Sequence, residues 1–212
     1  MEKYQTQARR MDYQSVETLV MSKLKNELPP QYKFHNWKHT EDVVRHSQLI
    51  AVAEGIDGVN MLLIKTAALF HDLGYVFMHC GHESVGAHFA VEVLPGFDYT
   101  AEQIDFIQGM ILATRYPQTP QNELEKILCD ADLFYLTGSD IDFQCDCLRL
   151  EFETQDTCFS DLEWYEFEKR FIVKHHFFTP FAQEAFNKVK PEILRQLDEN
   201  IRIERQNEKN IH

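Results

Sequence analysis

Five side chains of this chain offer the most chemistry: His35 and His39, four apart in FHNWKHTEDVV; the adjacent pair His71-Asp72 in AALFHDLGY; and Asp132 in ILCDADLFYL. A His-Asp dipeptide alone is a common accident of composition, so the company it keeps decides its meaning. In MLLIKTAALFHD the residues Ile64, Ala67, Ala68 and His71 repeat at three and four positions, which puts His71 on the apolar face of a helix. An imidazole there is costly without a partner. Asp72 sits about 100° further around and must be solvated, paired or bound to a cation if it points inward. His39 begins a helix whose inward stripe continues through Val43, Val44 and Ile50, and Asp132 follows Leu128 by four near the end of another. His39, His71, Asp72 and Asp132 together make a mixed nitrogen and oxygen set suited to a borderline or hard divalent cation. Mn, Fe, Co, Zn, Ni and Mg all remain open as its identity.

Apolar spacing is helical almost throughout, and only 8 glycines and 7 prolines interrupt it. The expected fold class is therefore all-α, a bundle of roughly eight or nine helices. The segments are roughly 13–27, 38–54, 60–73, 82–94, 100–114, 121–133, 141–153, 160–178 and 181–207, stopped by Pro or Gly at most of their ends. With no internal repeat and no long linker, one domain over residues 1–212 is expected, with a core from 30 to 180 and the first and last helices packed on it. The last stretch, IRIERQNEKNIH, is polar enough that fraying is expected there.

The set HNWKHTEDV, AALFHDLGY, GHESVGAHFAVEVL, ILATRYP and ILCDADLFYL resembles the HD superfamily of metal-dependent phosphohydrolases over roughly residues 30 to 180. The resemblance implies that His39, His71, Asp72 and Asp132 are the direct ligands, with Asp72 able to bridge to a second ion. It also implies hydrolysis of a phosphate ester or anhydride of a small molecule, most naturally a nucleotide, with Asp72 orienting or deprotonating water. FHNWKH is similar to an element of the cyclic-nucleotide phosphodiesterases in which the first histidine protonates the leaving oxygen, and this makes His35 a candidate general acid. Beside that stands a capping role for the same element, with Asn36 accepting a backbone N–H. Family members with two metals place a histidine where His82 stands, while Glu83 in a first helical turn is also favoured by the helix dipole. Arg115 could clamp a phosphate or pair with a surface carboxylate. It and Thr114 occupy a helix where members with metal clusters carry histidines, which argues against a cluster and against a di-iron oxygenase on this fold.

Other residues have plainer readings. Arg149 with Glu151, and His175 with His176, could line the cleft, but the default expectation is a charge pair on a helix surface for the first two and an aromatic packing face for the histidines. His46 lies about two turns, roughly 10 Å, from His39 and is too far to share its ion. His79 and His88 are expected on loops or the surface, and Lys65 as a snorkelling side chain. Lys and Arg number 21 against 34 Asp and Glu, a net charge of -13. That field disfavours nucleic acid polymers and anionic membranes as partners, and leaves room for a small phosphorylated substrate at a cation. The five cysteines lack the spacing of a disulfide scaffold, the N-terminus lacks an apolar leader, and no stretch is long and apolar enough to span a membrane; a cytoplasmic protein is expected. A homodimer through the exposed part of the last helix stays open. So does a metal- and nucleotide-binding sensor without turnover, although a decayed module would often have lost a ligand.

Overall fold

The computed structural model describes residues 11–155 and 157–211; residues 1–10, Asp156 and His212 lie outside it, and with them most of the N-terminal stretch that lacks an apolar leader. Among the described residues there are nine α-helices: α1 (Tyr13–Glu27), α2 (Trp37–Ala53), α3 (Gly58–Phe70), α4 (His82–Val93), α5 (Ala101–Ala113), α6 (Glu123–Leu133), α7 (Ile141–Glu153), α8 (Asp161–Lys174) and α9 (Pro180–Ile211). Short 3₁₀ turns come after α3, α4 and α6. The fold is all-α, as the period of the sequence dictates.

Local chemistry explains most helix starts. Asp12, Asn36 and Asn122 each accept a backbone N–H one to three residues into their helices, and Thr100 with Gln103 and Ser160 with Glu163 form reciprocal capping boxes. The apolar stripes of α1 to α6 then meet in one core that includes Val20, Val43, Ile50, Ile64, Phe70, Ile107, Ile111 and Leu128. Within it α2 lies against α3 and α6, α3 against α5, and α4 against α5, so the helices carrying His39, His71 and Asp132 are mutual neighbours.

Two close approaches fix the path of the chain beyond α3. A Cβ on Gly74 would stand 2.0 Å from the carbonyl oxygen of His82, and one on Gly86 would stand 2.4 Å from that of Phe70. Only glycine lets α4 press against the turn after His71-Asp72, and that contact brings His82 beside the site.

Three boundaries differ from the sequence expectation. The regular part of α3 stops at Phe70, and the chain tightens through Leu73–Val76, with the Tyr75 N–H donating to the Asp72 carbonyl at 3.0 Å. α8 stops at Lys174 instead of running to 178, because buried Asp130 takes the backbone N–H groups of Phe178 (2.8 Å) and Thr179 (2.7 Å) and holds that segment out of a helix. The polar tail expected to fray is helical through Ile211 as the end of α9; Arg195 and Arg202 bond acids three residues before them, and Arg205 reaches Glu166 of α8 at 2.7 Å. No described helix is long and apolar enough to cross a membrane.

Candidate metal centre

Three helix ends deliver four side chains to one point. His39 comes from the first turn of α2, which Asn36 caps by accepting from the Lys38 N–H at 2.8 Å. His71 and Asp72 close α3, and Asp132 lies one residue before the end of α6. One donor atom from each of the four lies within 4.8 Å of the others. His39 Nε2 is 3.4 Å from His71 Nε2 and 3.2 Å from Asp132 Oδ1; His71 Nε2 is 3.1 Å from Asp72 Oδ2. All except Asp132 are buried, and His71 is 0% exposed.

The tautomer of His71 is set by its other nitrogen. Nδ1 lies 2.7 Å from the Ala68 carbonyl oxygen, which can only accept, so Nδ1 donates there and Nε2 is the nitrogen that faces the carboxylates. Asp72 Oδ2 is buried and makes no hydrogen bond. Two imidazoles and two carboxylates converging there, one with an orphaned oxygen, fit a divalent cation. The electrostatics agree. Burial opposes charge on His71, but the carboxylates of Asp72 and Asp132 outweigh it and hold the imidazole well above its ordinary range. Burial likewise opposes ionisation of Asp72 and Asp132, yet the imidazoles keep both carboxyls below theirs. The site stabilises positive charge at its centre.

His35 stands beside this cluster on a support that the sequence did not reveal. Glu151 of α7 is 2% exposed, and one of its oxygens accepts the backbone N–H groups of Phe34 and His35, the latter at 2.8 Å. Its other oxygen lies 2.7 Å from His35 Nδ1. The expectation of a surface pair with Arg149 is therefore corrected: Arg149 turns away to Asp161 at 2.8 Å, and Glu151 points inward. The reason is legible afterwards, since Glu151 follows Leu148 by three on the inward stripe of α7. Burial pushes the His35 imidazole down, but the bond to Glu151 and the charge of Asp72 more than offset it, so its pKa is raised. Tyr75 was missed too. Its ring stacks on His35 (centroids 4.6 Å apart, 27° between planes) and on His82 (3.8 Å, 19°), forming a column that ties the turn after α3 to the start of α4.

His82 Nε2 lies 3.3 Å from Asp72 Oδ1, while its Nδ1 is 3.2 Å from the His79 carbonyl oxygen. It faces the Asp72 oxygen that the four-donor cluster leaves aside. Glu83 is 3.7 Å from His82 and 3.8 Å from Arg115, whose guanidinium also donates to Ser84 Oγ at 2.5 Å. Arg115 thus lies near the buried, cavity-lining Glu83 and not a surface carboxylate. His46, His88 and His175 stand apart: His46 packs on Phe134, His88 pairs with Glu92 on the surface, and His175 stacks on Phe171. A cavity of about 1070 Å³ opens over His35, Asp72, His82 and Asp132 and continues along α7, α8 and α9.

A family model described as HD domain matches residues 36–135, the stretch that carries all four donors. Over that stretch the chain carries an HD domain. Solved structures share the fold of this HD-domain chain. One, from an uncultured Thermotogales bacterium, is described as a predicted HD superfamily hydrolase (TM-score 0.61, 20% identity, 88% of this chain and 89% of that one). Another is Bacillus subtilis YpgQ, in complex with ADP (TM-score 0.62, 20% identity, 90% and 98%). A third, from Lactobacillus plantarum, has a TM-score of 0.64 at 16% identity, over 87% and 94%. An uncharacterized protein of Clostridium beijerinckii is 36% identical over 84 residues, 38% of this chain and 53% of that protein, so the match spans about half the length of that relative. The HD domain and its buried His/Asp cluster together support a metal-dependent phosphohydrolase in general terms.

Proposed function

We propose that this HD-domain protein hydrolyses a phosphate ester or anhydride of a nucleotide, with His39, His71, Asp72 and Asp132 holding a divalent ion. The observation that carries the reading is the meeting of that cluster, orphaned Asp72 oxygen included, with an acid-competent His35 braced by Glu151. When bound, the ion supplies Lewis acidity toward a phosphoryl oxygen and lowers the pKa of water. The protein does the rest. The Ala68 carbonyl fixes the His71 tautomer, and Asp72 accepts a proton from the attacking water or orients it. Glu151 holds His35 in place and favours its protonated form, so His35 donates a proton to the leaving oxygen. His82, on the free side of Asp72, is placed to take a second ion or a phosphoryl oxygen.

Several observations support a nucleotide. The cavity is far larger than one phosphate requires, the structurally similar YpgQ is known in complex with ADP, and a chain of charge -13 suits a small anion at a cation better than a polymer. The five free thiols fit a reducing, cytoplasmic setting. The test is phosphate or nucleoside release from nucleoside mono- and triphosphates and cyclic nucleotides, with Mn²⁺, with chelator, and in Asp72→Ala. Metal-dependent release that the variant loses is expected. Metal binding without release across the panel would favour the sensor reading instead.

A further inference from the structure

Past the His/Asp centre, the cavity is walled by helices that lie outside the matched residues 36–135, and the character of that wall changes. Phe152, Trp164 and Phe167 pack ring to ring there, with centroids 6.1 Å apart for Phe152 and Trp164 and 5.5 Å for Trp164 and Phe167, the latter pair stacked at 26°. Tyr135 joins the two regions: half-buried, it lines the cavity near both Asp132 and the pair Cys145 and Glu168. Trp164 is buried behind the half-buried rings of Phe152 and Phe167, whose cavity side suits the face of a planar ring.

Glu168 of α8 is the anomaly in it. The carboxyl lines the cavity within four residues of both Trp164 and Phe167, and its close partner is the thiol of Cys145. Arg149 acts on it only from a distance, being bonded to Asp161 and to the Phe159 carbonyl. Burial, with Asp142 and Asp146 nearby, pushes this carboxyl up to about 7. Glu168 is half-buried at the cavity wall, so a donor on a ligand in the cavity can reach its carboxyl. A phosphate cannot be that donor, because like charges repel. An amino group on an aromatic ring can, through a charge-assisted N–H···O bond.

We infer that Glu168 is a specificity determinant: it accepts a hydrogen bond from an exocyclic amino group on a planar heteroaromatic leaving group that stacks in the aromatic arm of the cavity. The inference rests on the phosphohydrolase reading only for where the phosphate sits. It is tested by equilibrium binding of adenosine, guanosine and cytidine, against inosine and uridine, to wild type, Glu168→Gln and Glu168→Leu. Phosphate release from p-nitrophenyl phosphate is measured in parallel. At least one amino-bearing nucleoside is expected to bind about tenfold more tightly than its amino-less counterpart. Glu168→Leu erases that ratio, and Glu168→Gln, which keeps an acceptor, retains part of it. Bound metal and circular dichroism unchanged from wild type in both variants show that the fold is intact. Equal binding across the pairs, or a ratio that Glu168→Leu leaves unchanged, overturns the inference even where hydrolysis is intact. Discrimination that depends on Glu168 in a protein releasing no phosphate supports the inference and overturns the hydrolase reading alone.

Discussion

Asp72 and Asp130 are both buried, at 5% and 1% exposure, and the structure treats them in opposite ways. Both oxygens of Asp130 accept backbone N–H groups, from Phe178 and Thr179, and the residue acts as a staple between α6 and the start of α9. One oxygen of Asp72 accepts nothing, and the groups around it are imidazoles and a second carboxylate. A buried acid with its lone pairs filled holds a fold together. One left open, among ligands of the same kind, is a place for a cation. Glu151 shows both behaviours, since one oxygen staples the backbone of Phe34 and His35 and the other tunes the His35 imidazole.

The sharpest break of this contrast is Asp72→Ala. It should lower phosphate release by at least about 10³-fold and abolish tight metal binding, while the melting temperature falls by less than in the Asp130 variant, because no backbone N–H group is orphaned. Metal analysis, turnover and calorimetry read all three. Retained metal with retained turnover would end the assignment.

Asp130→Ala should do the reverse. It orphans the buried N–H of Thr179 and the part-buried N–H of Phe178 at about 1–3 kcal/mol each, so a loss of about 2–6 kcal/mol in denaturant unfolding is expected, with the metal content at 25 °C unchanged. Loss of metal without loss of stability would show that the two aspartates had been assigned the wrong way round.

Glu151→Gln tests the intermediate case. Its shape is kept but the charge that raises the His35 pKa is gone, so a fall in kcat of about 10–100-fold is expected. His35 must be protonated to act, and a lower pKa empties that form earlier as pH rises. The basic limb of the pH–rate profile therefore moves to lower pH. A residue that only supported the backbone would leave that limb in place.

The smallest effect is on stability alone. Burial among aromatic rings, with Lys190 nearby, pushes His175 down to about 4. The unfolded chain binds this proton from about pH 6.5 downward and the folded chain does not, so stability is full above pH 6.5 and falls toward pH 4. In His175→Phe the melting temperature should fall less over that window, by about 2–4 °C for each kcal/mol involved. An identical pH dependence in the variant would show that His175 is not among the groups responsible.

Much of this protein was legible in its residues, because the terms that write helices act within a turn or two. The 3.6-residue period, the caps at Asn36, Thr100 and Ser160, and the breaks at Gly55 and Pro95 gave the all-α class and most boundaries. The inward stripe placed His71 on a buried face, and the resemblance picked Asp132, not Asp130, as the acid to group with it. Periodicity alone could not have made that choice, since both stand near the end of one helix. What only the tertiary structure decided has one feature in common: the partner lies far along the chain. Glu151 reaches His35 across 116 positions and Asp130 reaches Phe178 across 48. A helical period tells which face of a helix turns inward. Which side chain it meets there is settled by how whole helices pack, and the direction of a buried carboxylate depends on whether the packing gives it a backbone N–H or leaves it facing other ligands.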